Sequence, residues 1–142
     1  DASLKYRRLA KKYNVHNRIV FLGKVRHIQD ILSISDVAVL PTFYDPSSRF
    51  ILEALAAEKP VITTKFNGAA DLFTAGLHGI VIDSPQNITA LADALDYFSN
   101  TDNIKKASRA IASDNLKEKI SITRAAQQLI TLYDRIMHGR QL

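Results

Sequence analysis

Four apolar runs, each four residues long, constrain this chain more than any other feature: 19–22 (IVFL), 37–40 (VAVL), Val61–Thr64 (VITT) and Gly79–Ile82 (GIVI). They are rich in β-branched residues and show little polar alternation, the pattern of strands buried on both faces of a parallel sheet. Between them Ile28–Ile34, 48–58 and a short 70–74 read as helices. After the last run, 87–99 repeats Ile88, Leu91, Leu95 and Phe98 at three and four residues, one face of a helix. Two more helices are expected to close the chain, the last with Ala126, Leu129, Ile130, Tyr133, Ile136 and Met137 on one stripe. The alternation predicts one α/β domain over 1–142, a Rossmann-like parallel sheet flanked by helices with right-handed crossovers. Ligands in such sheets bind beyond the carboxyl ends of the strands, which selects the segments 23–27, 41–49, 65–71 and 83–86.

An apolar share of 46% against 23% charged residues suffices for a buried core and excludes global disorder. Cysteine is absent, which excludes disulfides and thiolate metal sites. No apolar run approaches the roughly 18 residues of a membrane span, and the basic opening DASLKYRRLAKKYN lacks the apolar core of a secretory signal. The net charge of +5 hides an asymmetry. Lys5, Arg7, Arg8, Lys11, Lys12, Arg18, Lys24 and Arg26 face Asp1 alone before residue 28, whereas acids dominate from 28 to 102. A solvated helix face is the commoner meaning of such a flank; anionic lipid, nucleic acid or phosphorylated substrates are the alternatives. No RNA-binding signature or aromatic interleaving supports nucleic acid.

The stretch from 41 to 72 (PTFYDPSSRFILEALAAEKPVITTKFNGAADL) carries the chemistry. A helix over 48–58 is apolar almost all round, so it should be buried, yet it holds Glu53 in its first two turns. A buried charge needs a partner. Ser47 and Ser48 suit a cap and Pro46 suits the turn entering it. The free N–H groups and positive dipole of that end favour a phosphate, and a carboxylate one turn further in can accept two ribose hydroxyls. The alternative is an Arg49–Glu53 pair at i, i+4 on an exposed edge; the residues alone leave both readings open. Asp45, in the loop ahead of the helix, either holds a sugar hydroxyl and stabilises charge at an anomeric carbon or does plain turn work in Tyr-Asp-Pro-Ser-Ser, the commoner use of Asp there.

These residues resemble the nucleotide-sugar-binding segment of retaining GT-B glycosyltransferases of the family 4 type, in which an acid is followed after seven residues by Glu-Ala-hydrophobic-Ala-x-Gly-x-Pro-Val-Ile. Here the series runs from Asp45 to Glu53, Ala54, Leu55, Ala56, Ala57, Glu58, Lys59, Pro60, Val61 and Ile62. The segments 19–25, 35–42, 67–72, 76–83 and 120–133 resemble the flanking strands, the Gly-x-x-Glu turn and the closing helix. The resemblance implies that Asp45 binds the sugar and Glu53 the ribose, these two being the catalytic pair. It places Val25, Ser48, Arg49 and Phe50 with Glu53 around the donor. It implies a nucleotide-diphosphate sugar as substrate, no cofactor and no metal.

Three departures stand out. Asp45 replaces the commoner Glu, Asp71 replaces the Glu of the Gly-x-x-Glu turn, and Glu58 stands where the family has a Gly suited to positive φ. By resemblance the chain looks like a partial GT-B C-terminal domain without its first two β-α units and without the acceptor domain. In the family's strand order 19–22 is then separated from 37–40 by two absent strands. The expected outcomes are a rearranged sheet, a swapped dimer through the incomplete sheet, or 19–22 paired directly with 37–40.

The function so implied is the donor-binding part of an enzyme moving a sugar with retention onto a glycan or lipid-linked acceptor held by the other domain. This chain alone is expected to transfer nothing. Bacterial surface-polysaccharide biosynthesis and a cytoplasmic location, with peripheral contact at the inner membrane face, follow from the resemblance only. The rival is a non-catalytic glycosyltransferase-like module for assembly or anionic-surface binding.

Overall fold

The computed structural model describes residues 3–138. It is α/β, with helices α1 (Ser3–Lys12), α2 (Ile28–Ile34), α3 (Arg49–Ala56), α4 (Ile88–Tyr97), α5 (Thr101–Ser113), α6 (Leu116–Lys119) and α7 (Ile122–His138) around a sheet of β1 (Ala38–Leu40), β2 (Val61–Thr64) and β3 (Gly79–Ile82). The strands run parallel in the order β1-β2-β3, with Val39 opposite Ile62 and Ile62 opposite Ile80. Three of the four apolar runs are therefore strands, and α2 has the expected bounds.

Side chains alternate across the sheet with the period of two that a pleat imposes. Ala38, Leu40, Val61 and Val81 face one apolar cluster with Leu32 of α2, Ile51 and Leu55 of α3 and Leu116 of α6. Val37, Val39, Ile62, Ile80 and Ile82 face a second cluster with Ala94 and Phe98. Helix α5 serves both, through Ile111 in the first and Ala107 in the second. The centre of the sheet, Val61 to Thr64, is completely shielded from solvent, which explains why its sequence lacks polar alternation.

Several expectations need correction. The run 19–22 is not a strand: it pairs with nothing among the described residues, and Val20 is 79% exposed. The sheet is not rearranged and 19–22 does not join 37–40. An extended apolar segment becomes a strand only when a neighbour accepts its ladder of hydrogen bonds. Instead Phe21 lies under the Arg7 guanidinium, 4.6 Å from the ring centroid. In α4 the buried face is Ala94 and Phe98 with Ala90 and Leu91 beside them, while Ile88 and Leu95 are exposed. The 70–74 segment is a 3-10 turn at Gly68–Leu72. Three helices close the chain rather than two, because the left-handed Asn115 breaks α5 from α6. The apolar stripe of α7 is present, but none of its residues is buried.

Helix α3 ends in a Schellman arrangement. The Lys59 N–H donates to the Ala54 carbonyl at 2.9 Å and the Glu58 N–H to the Leu55 carbonyl at 3.0 Å, with Glu58 at φ +59°. The sequence places Glu where the geometry favours Gly. Glu58→Gly is expected to raise stability by about 0.5–1 kcal/mol, the left-handed penalty less the backbone entropy that glycine costs. The readout is a higher urea midpoint at unchanged slope.

His78 is 1% exposed. Its Nδ1 accepts the Thr74 N–H at 3.0 Å, which leaves the proton on Nε2, 2.9 Å from Asp114 Oδ2 though not aligned as a hydrogen bond. It ties the turn before β3 to the end of α5.

Candidate functional site

The carboxyl ends of β1 and β2 launch two loops that are stitched together. Two buried threonines set the launch: the Thr63 hydroxyl donates to the Leu40 carbonyl at 2.9 Å, and the Thr64 hydroxyl donates to the Thr42 carbonyl at 2.6 Å. The loop 41–48 then crosses to 66–68. The Asp45 N–H donates to the Phe66 carbonyl at 3.1 Å, and the Gly68 N–H donates to the Asp45 carbonyl at 2.9 Å. Asp45 and Asn67 thus form an isolated parallel bridge beyond the named strands.

Asn67 holds this junction. It is 1% exposed. Its Oδ1 accepts the N–H of Ser48 at 3.3 Å and that of Ala69 at 3.1 Å, while its Nδ2 donates to Thr63 Oγ1 at 3.0 Å. A single buried amide fixes the start of α3, the start of the 3-10 turn and β2 with respect to one another. Sequence reasoning missed this residue. Its signal was an Asn-Gly pair separated by two residues from the end of a strand, which announces a turn but not the long-range acceptor. Gly68 completes the junction: a Cβ there would sit 2.0 Å from the Pro46 carbonyl oxygen, so only glycine allows the two loops to approach.

Ser48 caps α3, its hydroxyl accepting the Ile51 N–H at 3.4 Å and its carbonyl the Leu52 N–H at 3.1 Å. The next two amides, those of Arg49 and Phe50, have no acceptor among the described residues. They sit where a helix leaves its N–H groups unpaired and where its dipole is positive. Ser47 and Arg49 on either side of the cap are exposed, so this end is open to solvent.

Both candidate acids flank that end. Asp45 precedes the cap by three residues, half-buried, with Oδ1 accepting the Ser47 N–H at 3.1 Å. This is the local turn expected of Asp before Pro-Ser, and it uses one carboxylate oxygen. Glu53 lies in the second turn of α3 with its side chain 32% exposed, and Arg49 Nη2 stands 3.7 Å from its Oε1. The i, i+4 pair is therefore formed. Arg49 is 90% exposed, so the pair is worth about 0.3–0.5 kcal/mol and does not bury the carboxylate. Phe43 and Tyr44, 67% and 78% exposed, stand on the loop just before Asp45. On the far side of the site Lys65 Nζ lies 3.4 Å from Asp83 Oδ1, joining the ends of β2 and β3.

The structure brings Asp45, Ser48, Arg49, Phe50 and Glu53 to one helix start. It does not bring Val25 there by any contact. Val25 lines an open cleft with Ser3, Arg7, Val20, Phe21 and Leu22, beside α1. A small cavity of about 190 Å³ lies at the opposite, amino end of β3, among Gly76, Leu77, Tyr97, Phe98, Asn103 and Lys106.

The family model described as "Glycosyl transferases group 1" matches residues 2–119. An uncharacterized glycosyltransferase of Methanocaldococcus jannaschii is 26% identical over 127 residues, 88% of this chain and 32% of that protein. Among solved structures, a glycosyltransferase from Rickettsia africae superposes with a TM-score of 0.81 at 24% identity, covering 94% of this chain and 36% of that one. Anabaena HepE in complex with UDP-glucose superposes with a TM-score of 0.76 at 19% identity, covering 92% and 36%. The fold is thus that of the GT-B glycosyltransferases, and the chain spans about a third of the length of the relatives it matches. With the match extending over most of its residues, this chain belongs to the glycosyl transferases group 1 family.

Proposed function

We propose that this chain is the donor-binding part of a retaining glycosyltransferase that uses a nucleotide-diphosphate sugar. The observation that carries the reading is the open start of α3, where the Arg49 and Phe50 amides, without an acceptor among the described residues, lie along the chain between Asp45 and Glu53. A diphosphate accepts those two N–H bonds and meets the positive end of the helix. Arg49, mobile on an exposed side chain, swings from Glu53 to the phosphate for a charge-assisted contact. Glu53, released, accepts the ribose hydroxyls. Asp45 faces the sugar with its second oxygen, since Oδ1 is taken by the Ser47 amide.

The chemical task of this part is to stabilise negative charge on the departing diphosphate as the anomeric bond breaks. Fixed amides do this without reorganising, which is why Asn67 and Gly68 matter to the reaction although neither touches the donor. The acceptor, a glycan or lipid-linked group, is positioned by residues outside this chain, at the cytosolic membrane face. The UDP-glucose complex of the Anabaena relative favours a uridine nucleotide as the first ligand to try.

Calorimetric titration with UDP, ADP and GDP tests the reading. One of the three is expected to bind. Glu53→Ala should weaken it by about 1–3 kcal/mol, the scale of hydrogen bonds to a charged group. Unchanged affinity in the variant contradicts the ribose role, and no binding of any nucleotide contradicts the site.

A further inference from the structure

Two aromatic rings beside Asp45 belong to neither apolar cluster and to no step described so far. Phe43 and Tyr44 are 67% and 78% exposed, so they bury little against the fold. The backbone that carries them is nevertheless pinned on both sides of Phe43. The Thr42 N–H donates to the Leu40 carbonyl at 3.0 Å, and the Thr42 carbonyl accepts the Thr64 hydroxyl at 2.6 Å. The Thr42 hydroxyl accepts the Tyr44 N–H at 3.3 Å and donates to the Tyr44 carbonyl at 3.1 Å. Asp45 follows, bonded through its N–H to the Phe66 carbonyl and through its carbonyl to the Gly68 N–H. Exposed rings are thus presented from a fixed loop at the carboxyl end of β1, the edge where a parallel sheet binds its ligands.

We infer that Phe43 and Tyr44 form a platform for the sugar ring of the donor and so help select a pyranose at this site. The inference rests on the donor reading above. A pyranose chair has two faces of C–H bonds, which leave water for an aromatic face and meet its negative quadrupole. The hydroxyls at its edge donate to a carboxylate. An aromatic face next to Asp45 serves both. A nucleobase also stacks on aromatic rings, and the order of the site decides between the two. In the donor reading Glu53 takes the ribose in the second turn of α3, the Arg49 and Phe50 amides take the diphosphate at its start, and Asp45 takes the sugar ahead of the cap. Phe43 and Tyr44 come next along the chain, at the sugar end. The diphosphate separates them from the ribose that carries the base.

Calorimetric titration of the chain with free UDP, ADP and GDP and with their glucose conjugates tests this. Stacking reads the C–H face that hexopyranoses share, so glucose is a sufficient probe. For the nucleotide that binds, Phe43→Ser/Tyr44→Ser is expected to weaken the glucose conjugate about tenfold relative to the free nucleotide, the scale of two aromatic contacts. The affinity for the free nucleotide itself should not change. Phe43→Tyr/Tyr44→Phe keeps both rings and should keep the parent's ratio of affinities. Both side chains are exposed, and the bonds that hold the loop come from Thr42 and from backbone groups, so an unchanged urea midpoint is expected and shows that the fold survives. Three results overturn the inference while the donor reading stands: a serine variant with the parent's ratio, a serine variant that weakens the free nucleotide and its conjugate alike, or a ring-keeping variant that loses the ratio as the serine variant does. Absence of binding by every nucleotide and conjugate removes the donor reading, and this inference with it.

Discussion

Gly68→Ala is expected to cost about 3 kcal/mol or more of stability and to abolish nucleotide binding together, the upper range for forcing an extra carbon into a packed site. The added Cβ would meet the Pro46 carbonyl oxygen at 2.0 Å and its carbon at 2.9 Å. Both are backbone atoms, so no rotamer change relieves the clash. Either the 45–48 loop or the 67–69 turn must move, and each move breaks the Gly68 N–H bond to the Asp45 carbonyl. The penalty is steric and not conformational, since Gly68 has no positive φ. Gly23, at φ +66° with open space around its Cβ position, is the control: its alanine variant pays only the left-handed term of about 1 kcal/mol and should bind nucleotide as the parent does. Urea unfolding and calorimetry on the two variants check this.

Asn67→Ala is expected to lose about 3 kcal/mol, because two buried amides, those of Ser48 and Ala69, are left without an acceptor at about 1–3 kcal/mol each. Asn67→Asp keeps the acceptor for both amides but places a carboxylate oxygen against Thr63 Oγ1 in a buried site. That charge costs more than the lost amide donor, so the aspartate should be no better than the alanine. In both variants the Ser48 cap is expected to shift, and the affinity for nucleotide should fall by at least about tenfold even though Asn67 is buried beneath the loop and gives the donor no proposed contact. A variant that loses stability but keeps full affinity would show that the cap finds its position without the buried amide.

Much of this architecture is legible in the amino-acid order, and the boundary of legibility is physical. The runs at 61–64 and 79–82 are strands with the expected limits because a continuous apolar stretch between turn residues has few other fates in an α/β chain. Ser48 as cap and Glu58 at positive φ also follow from local preference and from the resemblance. What fails is whatever depends on a partner distant in sequence. The run at 19–22 is as apolar as the true strands, but apolarity does not supply a neighbouring ladder. Of the stripe Ile88–Leu91–Leu95–Phe98 only Leu91 and Phe98 turn inward; Ala90 and Ala94 complete the inner face in place of Ile88 and Leu95, because small residues let α4 approach the sheet closely. Asn67 and His78 are ordinary polar residues in the sequence, and only the fold shows that they are buried acceptors. Within the site, the residues alone left Asp45 and Glu53 open to a plain turn and an exposed ion pair, and only the resemblance proposes them as the acids of a donor site; the buried amide that joins their loops was not legible at all.

If the start of α3 receives a diphosphate, its free amides must report the ligand. Amide nuclear magnetic resonance of the isotopically labelled chain titrated with UDP tests it most directly. Saturable shifts are expected, largest at the Arg49 and Phe50 N–H groups and extending to Ser48 and Glu53, with the half-saturating UDP concentration raised in Glu53→Ala. Absence of shifts at Arg49 and Phe50, or a saturable set centred instead on the cavity of Gly76, Tyr97 and Lys106 at the other end of β3, would contradict it.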